Sequence, residues 1–466
     1  GSFYKNLRKN AKKLKENGID ALWMPPMTKG GSDMDVGYGI YDLWDLGEFD
    51  QKGTTRTKYG TKKELLEAIE ELHKVGIKCY ADVVLNHKGN ADEKEKFKAV
   101  MVDQNNRTKD VGEEVDIEAW THFTFPGRKG KYSNMQWHWY HFKGVDYDNL
   151  SDTSAIYRIV GDGKYWDDDV SNENGNFDYL MYDDIDHNHP EVHDEIFNWV
   201  DWFIEETGVD GFRYDALKHI SENFIHDLSS HIIDEKGIDS FYLFGEFWQY
   251  SKESIEEYLN TTSYQIDLFD VPLHFHLEEA SKSMGNYDMR NIFDNTIVED
   301  FPEQAVTFVD NHDSQPGQAL ESWIEDWFKE IAYALILFRK DGYPCIFAGD
   351  YYGLCGKTKT DPLEDMINNM LKIRKNYNYG EQDDYFDDPA VIGWVRRGDE
   401  DHKPLAVLIS IKDNAEKQMH VGESEAGATY VDLSGKNNEV VIDDDGNGLF
   451  TVGGGKVTYW ANKETL

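Results

Sequence analysis

Five times in this chain a helical pattern ends at a glycine, and an apolar residue and a strand pattern follow at once. The segments are ENGIDALWMPP, KVGIKCYADVVLNH, ETGVDGFRYD, EKGIDSFYLFGEF and KDGYPCIFAGD, with glycines at Gly18, Gly76, Gly208, Gly237 and Gly342. Glycine is favoured at the C′ position after a helix because the backbone there needs a left-handed conformation. We therefore predict five helices that each end at one of these glycines and lead into a buried strand.

The helices of this pattern carry their own signals. Thr61 and Glu64 have the spacing of a capping box, and Pro190 opens a segment with a single apolar stripe. Two further runs, IDLFDV (266–271) and AVTFVD (305–310), read as strands and bring the number of predicted buried strands to seven. Strands that alternate with helices predict an α/β fold, and the chain length suits a (β/α)8 TIM-type barrel better than an open sheet.

Two regions interrupt the alternation. Residues 86–190 are rich in Trp, Tyr, Asn, Asp and Gly and are too long for a loop, which predicts an inserted β-rich domain. After about Gly380 the segments GWVRR, LAVLISI, ATYVDL, EVVIDD, LFTV and KVTYWA predict a C-terminal antiparallel β-sandwich. The predicted domains are a barrel over 1–85 and 191–379, the insertion over 86–190 and the sandwich over 380–466.

Acidic residues exceed basic ones by 89 to 48, which gives a formal net charge of −41. This charge disfavours nucleic acid and anionic membrane as partners. The acids are spread along the chain, and because their excess is so large for this length, we favour the hydrated surface of a halophilic protein over an ordinary acidic protein with cation sites. The three cysteines match no zinc spacing, no run approaches a membrane span, and no signal peptide is visible.

The carboxyl ends of barrel strands are where active-site residues are expected. In GVDGFRYDALKHI, Arg213 and Asp215 project to one side of the strand and Phe212 and Tyr214 to the other. An isolated pair of this kind is more often a structural ion pair. Six such side chains at four strand ends indicate an active site instead; they are His87, Arg213, Asp215, Glu246, His312 and Asp313.

Two carboxylates in different surroundings are what the cleavage of a glycosidic bond requires. The cation of Arg213 is expected to lower the pKa of Asp215, which suits a nucleophile. Burial among Phe244, Phe247 and Trp248 is expected to raise the pKa of Glu246, which suits an acid/base.

At these residues the chain resembles the α-amylase family, glycoside hydrolase family 13. The four signature segments are matched by DVVLNH (82–87), GFRYDALKH (211–219), GEFW (245–248) and FVDNHD (308–313), and VGYGIYDLWDLGEF and WHWYHF resemble the bacterial liquefying type. The resemblance implies Asp215 as nucleophile, Glu246 as acid/base and Asp313 as the carboxylate that stabilises the transition state. It implies that further side chains contact the sugar, namely Tyr38, His87, Arg213, Lys218, His219 and His312.

The same resemblance implies calcium, with sodium as a further candidate. The implied main ligands are Asn86, Asp178, Asp184 and the backbone carbonyl of His219, and Asp167 and Asp186 are kept from a wider cation cluster of the family. Lys143 and Asn188 stand where the family has acids. We therefore predict that Lys143 takes the place of one metal ion, with its amine within about 4 Å of at least two of these carboxylates.

The function implied is the retaining endo-hydrolysis of α-1,4-glucosidic bonds in starch, glycogen and related glucans. Two alternatives stay open: a maltooligosaccharide-forming exo-amylase or transglycosylase on the same scaffold, and an inactive truncated carbohydrate-binding form. FYKNLRKNAKKLKENG resembles the first barrel helix, so the first barrel strand is expected to be missing from this chain. We expect a monomer, and secretion is favoured over a cytoplasmic location.

Overall fold

The structure is a computed structural model that describes residues 2–466. Helices α1 to α10 span Phe3–Glu16, Lys62–Lys74, Pro190–Thr207, Glu222–Lys236, Lys252–Thr261, Val271–Lys282, Ile297–Asp300, Lys329–Leu337, Ala348–Tyr352 and Glu364–Tyr377. Strands β1 to β13 span Ala21–Met24, Lys78–Val83, His87–Lys88, Glu93–Met101, Val115–His122, Phe142–Asp148, Thr153–Ile159, Asp183–Ile185, Gly211–Tyr214, Tyr242–Gly245, Asp267–Phe269, Ala305–Phe308 and Tyr343–Cys345. Strands β14 to β21 span Gln382–Tyr385, Val391–Arg396, Leu405–Ser410, Ala415–His420, Thr429–Asp432, Val440–Val441, Asn447–Val452 and Lys456–Asn462.

The chain forms two compact units. The first contains the chain up to Trp248 together with Glu257–Asp267, and the second contains Gln249–Glu256 together with Leu268–Leu466. Between residues 2 and 466 no helix combines the length and the apolar character that a membrane crossing requires.

Four parallel strands of the first unit lie in the order β1, β2, β9, β10 and alternate along the chain with helices. The predicted capping box is confirmed, because Thr61 Oγ1 accepts from the Glu64 N–H while the Glu64 carboxylate accepts from the Thr61 N–H. The apolar stripe of α3 is buried, as predicted. Gly18, Gly76, Gly208 and Gly237 follow α1, α2, α3 and α4 with φ between 71° and 98°, which confirms the glycine pattern for these four.

Strands β11, β12 and β13 pair in parallel and alternate along the chain with helices, and apart from Asp267 they belong to the second unit. Gly342 precedes β13 with φ of 89°, but α8 already ends at Leu337, so its predicted place at a helix C′ position is wrong. A side chain there would put its Cβ 2.9 Å from Cγ2 of Thr307 on β12. The glycine therefore allows a close approach of two chain segments.

The first unit also carries an antiparallel sheet, in the order β3-β8-β6-β7-β4-β5. Its strands run from His87 to Ile185, inside the range predicted for the insertion. The residue boundaries of the predicted domains stay predictions.

The last part of the second unit is built of two antiparallel sheets. One has the order β14-β15-β16-β21-β18-β19 and the other is the pair β17-β20. Apolar side chains of both sheets form one buried core, among them Leu408, Met419, Phe450 and Trp460. This arrangement is the predicted C-terminal β-sandwich.

Candidate active site

The strand order of the first unit brings four side chains of the predicted barrel together. In the parallel register, Asp82 of β2 lies opposite Arg213 of β9, and Phe244 of β10 lies opposite Arg213 on the other side. Glu246 directly follows β10, and its N–H donates to the carbonyl of Tyr214 over 3.0 Å. Asp215 and Glu246 therefore leave neighbouring strands at the same end of the sheet.

Arg213 is the centre of this group and is fully buried. One guanidinium nitrogen, Nη1, donates to Asp215 Oδ1 over 2.8 Å and to Asp82 Oδ1 over 3.0 Å. The other, Nη2, donates to Glu246 Oε2 over 2.7 Å. Burial opposes the charge on Arg213, but the facing carboxylates, Asp82 first among them, outweigh burial and raise its pKa well above the usual range.

The contact to Glu246 differs from the surroundings expected from the sequence. Asp215 does lie against Arg213, and Phe247 and Trp248 beside Glu246 are buried, as expected. However, Arg213 donates to both carboxylates, because Asp215 is the first residue after its own strand β9 and Glu246 is the first residue after the neighbouring β10. Contact with Arg213 therefore does not by itself show which of Asp215 and Glu246 is the nucleophile and which is the acid.

Tyr38 and His87 lie at the same end of the sheet as Arg213. The Tyr38 hydroxyl donates to Asp82 Oδ2 over 2.7 Å, and the Tyr38 carbonyl accepts from His87 Nε2 over 2.7 Å. Burial lowers the pKa of His87 to about 4, so its ring is neutral near pH 7. His87 is nearly inaccessible, and its contact with a sugar stays a prediction.

Lys218 and His219 lie on a short 3₁₀ turn, Leu217–His219, just after Asp215. The Lys218 amine donates to Glu173 Oε2 over 2.8 Å and to the carbonyl of Trp248 over 2.9 Å. Nδ1 of His219 donates to the carbonyl of Phe177 over 2.6 Å. Burial lowers the pKa of His219 to about 3, which also keeps this ring neutral.

His312 and Asp313 belong to the second unit. They follow β12, and His312 Nε2 lies 3.3 Å from Asp313 Oδ2. The Asp313 N–H donates to Asn311 Oδ1 over 2.9 Å, which fixes the backbone in a tight turn after the strand. Their predicted roles in the site stay predictions.

The carboxylates predicted as cation ligands surround two buried lysines. Lys143 on β6 forms ion pairs with Asp178 and with Asp167, the latter at 2.5 Å, so the predicted contact with two carboxylates is confirmed. Lys164 forms a second ion pair, with Asp186. Asn188, the other position that departs from the family pattern, donates its amide to Asp167 Oδ1 over 2.9 Å.

Some oxygens of this cluster have no hydrogen-bond donor. Among residues 2–466 the buried atoms Asn86 Oδ1, Asp184 Oδ1 and Asp184 Oδ2 lack any hydrogen-bond partner. Burial and the neighbouring Asp178 raise the pKa of Asp184 well above its usual range. Uncompensated carboxylate and amide oxygens are the donors that calcium prefers, so these residues fit a hard cation.

Sequence reasoning missed three residues of these groups: Asp82, Trp23 and Lys164. Asp82 accepts from Trp23 Nε1 over 3.2 Å, and the Arg213 guanidinium lies 4.7 Å from the Trp23 ring centroid. A signal existed for Asp82, because an aspartate inside an apolar strand is rarely left unpaired. We find no sequence signal for Lys164, whose partner Asp186 lies 22 residues further along the chain, just after β8.

Four other groups of side chains have the composition of a metal site. They are His73 with Cys79 and Asp210, Glu95 with His122 and His138, His141 with His189 and Glu191, and Asp201 with His231 and Glu235. In the third group both histidines accept a backbone N–H at Nδ1, so Nε2 carries the proton of the neutral ring and cannot bind a metal. None of the four includes a residue predicted as a cation ligand.

Known proteins resemble this chain over its whole length. The family model described as "Alpha amylase, catalytic domain" matches residues 9–391. The glucan 1,4-alpha-maltohexaosidase of Bacillus sp. (strain 707) is 50% identical over 99% of this chain and 90% of its own length. The alpha-amylase of Bacillus licheniformis is 48% identical over 99% and 91%, and the cytoplasmic alpha-amylase of Escherichia coli (strain K12) is 39% identical over 100% and 97%.

The fold is also found among solved structures. The crystal structure of an Anoxybacillus alpha-amylase superposes with a TM-score of 0.65 at 19% identity, covering 98% of this chain and 89% of that one. At this identity the likeness concerns the fold alone. The predicted class, a TIM-type barrel with additional antiparallel sheets, is confirmed.

Proposed function

This chain belongs to the α-amylase family of glycoside hydrolases, and from that premise we propose that it cleaves internal α-1,4 bonds of starch-like glucans with retention of the anomeric configuration. The observation that carries the proposal is the contact of one guanidinium with two carboxylates from neighbouring strands, Asp215 and Glu246. A retaining glycosidase needs two carboxyl groups about 5 to 5.5 Å apart. Asp215 and Glu246 accept from the two terminal nitrogens of one guanidinium, so they are close neighbours, and the proposal places their carboxyl groups at that separation.

In this proposal Asp215 attacks the anomeric carbon while Glu246 gives its proton to the leaving oxygen. Three carboxylates, Asp82, Asp215 and Glu246, surround one cation, and a single proton among them relieves their mutual repulsion. We assign this proton to Glu246, next to buried Phe247 and Trp248. Water then gives a proton back to Glu246 and cleaves the glycosyl ester, and Asp313 stabilises the charge of the transition state.

Amide substitutions test these roles. Asp215→Asn and Glu246→Gln are each expected to lower kcat on soluble starch by at least about a thousandfold, because chemistry is removed. Adsorption to starch is expected to survive, and an NMR time course of the parent enzyme is expected to show the α-anomer first. Release of the β-anomer, or an amide variant within tenfold of the parent, would contradict the assignment.

One observation favours a second activity on the same site. A relative with 50% identity is named a glucan 1,4-alpha-maltohexaosidase, so release of a preferred maltooligosaccharide is the alternative. Chromatography of products at low conversion separates the two. A broad range of lengths supports internal cleavage, and one dominant length from the earliest time points supports the alternative.

We infer that one calcium ion belongs to the cluster of the first unit. Asn86, Asp184 and the carbonyl of His219 would hold it, with Asp178 beside them. When bound, it would supply positive charge that joins the inserted sheet to the strand ends. When all four are ionised, as they would be around a bound cation, Asp167, Asp178, Asp184 and Asp186 carry four negative charges, and Lys143 and Lys164 balance two of them. The remaining two match a single divalent cation.

That the protein is secreted stays a prediction. The relatives include an Escherichia coli protein named as a cytoplasmic alpha-amylase, and it matches this chain over its full length. Fractionation of the native host, with activity measured in medium and in cell extract, decides between the two.

A further inference from the structure

A groove of about 530 Å³ lies in the second unit, and none of the residues that line it is one to which we assign a catalytic role. Its lining includes Met284, Glu325, Trp327, Lys412, Gly454 and Gly455. Its volume is in the range of small-molecule sites. Two of the large apolar side chains that the chain exposes, Met284 and Trp327, line this one groove.

Trp327 is held in a fixed position although 39% of it is exposed. Its indole N–H donates to the carbonyl of Ser281 over 2.9 Å. The ring of Phe328 packs against it edge-on, with centroids 5.3 Å apart and the planes at 77°. Because the polar atom of the indole is satisfied inside the protein, the exposed part of the side chain is a rigid carbon surface.

A run of glycines keeps the space beside the indole open. Gly453, Gly454 and Gly455 join β20 to β21, and Gly455 has φ of 69°, a conformation that favours glycine. A Cβ at Gly455 would lie 3.5 Å from Cε3 of Trp327. Any larger residue would extend a side chain along the indole and fill the groove.

The rim of the groove offers both hydrogen-bond donors and acceptors. Glu325 and Lys412 are exposed and carry opposite charges. Met284 is 90% exposed and has φ of 55°, a strained conformation for a residue with a side chain. An apolar platform in a groove that also offers a carboxylate and an ammonium suits an uncharged ligand that is apolar on one face and rich in hydroxyl groups at its edge.

We propose that this groove is a second α-glucan site, in which Trp327 stacks on the C–H face of a glucose residue and Glu325 and Lys412 bind hydroxyl groups. The identity of the ligand rests on the proposed function, since an enzyme that cleaves starch meets α-1,4-glucan at high local concentration. A polyanion is disfavoured by the net charge of −41. The site binds the insoluble or long-chain substrate without taking part in bond cleavage.

Starch adsorption in a non-cleaving background tests the site. In the Glu246→Gln protein, Trp327→Ala is expected to weaken adsorption to granular starch at least about fivefold, the effect of removing one central aromatic contact. Trp327→Phe keeps a ring face and is expected to retain most of the adsorption. Tyr343→Ala is the matched control, because Tyr343 is 54% exposed in the same unit and lies outside the groove.

The outcomes separate this site from the proposed activity. Hydrolysis of soluble starch by the unmodified protein tests the activity, whereas the comparison of Trp327 and Tyr343 variants tests the groove. Thermal unfolding of each variant shows whether it is folded. Adsorption that is unchanged in Trp327→Ala, or lost equally in Trp327→Phe and Tyr343→Ala, overturns the proposal.

Discussion

At the scale of single residues, Asp82 connects the side chains around Arg213. It accepts from Arg213, from the Tyr38 hydroxyl and from the Trp23 indole, so one carboxylate orients three groups. Its side chain is almost entirely buried. We infer that Asp82 positions Arg213 rather than touching the substrate.

Asp82→Asn tests this positioning role. The amide keeps the size of the side chain but removes the charge that opposes Arg213, so we expect kcat/KM on soluble starch to fall about 10- to 100-fold, or about 1.4 to 2.7 kcal/mol. The product anomer should not change, because both reacting carboxyl groups remain. Asp20→Asn is the control, since Asp20 is largely exposed and pairs only with Lys15. A fully active Asp82→Asn enzyme would show that Arg213 needs no third partner.

At the scale of elements, the helices and strands that could be predicted are those with a clear local pattern in the sequence. The apolar stripe of α3 and the glycines after α1 to α4 are local features, and the structure confirms them. Strand β17, with the sequence AEKQMH, was missed because it exposes alternate polar residues and pairs only with β20. Such a strand has no apolar run of its own.

The residues around Arg213 also could be predicted only where a local sequence pattern exists. Arg213, Asp215 and Glu246 follow recognisable strands, so their neighbourhood could be predicted from the order of strands. The contact of Arg213 with Glu246 depends on the register of β9 and β10, and the ion pair of Lys164 with Asp186 depends on a loop. Neither register nor loop geometry is encoded by a local pattern.

The inserted sheet provides a prediction about its buried lysine. Lys143→Met keeps the length of the side chain but leaves Asp167 and Asp178 without their ammonium, and breaking a buried pair in this way costs about 3 to 5 kcal/mol. We expect this loss in urea unfolding with chelator present, and part of it to return with calcium. The unmodified protein is expected to hold one calcium per chain by elemental mass spectrometry.

Lys98→Met is the matched control for Lys143→Met. Lys98 lies on β4 of the same sheet, and its ion pair with Asp116 is mostly exposed, so its loss should change stability by less than about 0.5 kcal/mol. If Lys143→Met in chelator unfolds at the same urea concentration as the parent, the buried ammonium contributes nothing to stability.

At the scale of the whole molecule, the formal net charge is −41, so the excess acidic side chains repel one another. Salt shortens the range of this repulsion from about 8 Å at physiological ionic strength to about 3 Å at 1 M. We therefore expect the Tm to rise with sodium or potassium chloride, and to rise further than in sucrose of equal osmolarity. A Tm that stays constant from low to molar salt would identify an ordinary acidic protein rather than a halophilic one.

The ammonium groups of Lys143 and Lys164 are covalently attached to the chain, so their presence beside the aspartates does not depend on the ion content of the solvent. A dissolved ion obeys mass action and leaves when its concentration falls or a competitor takes it up. A tethered ammonium keeps the same high local concentration after dialysis, in soft water and in a detergent that sequesters metals. The two ammonium groups therefore stay beside these aspartates in all of these media.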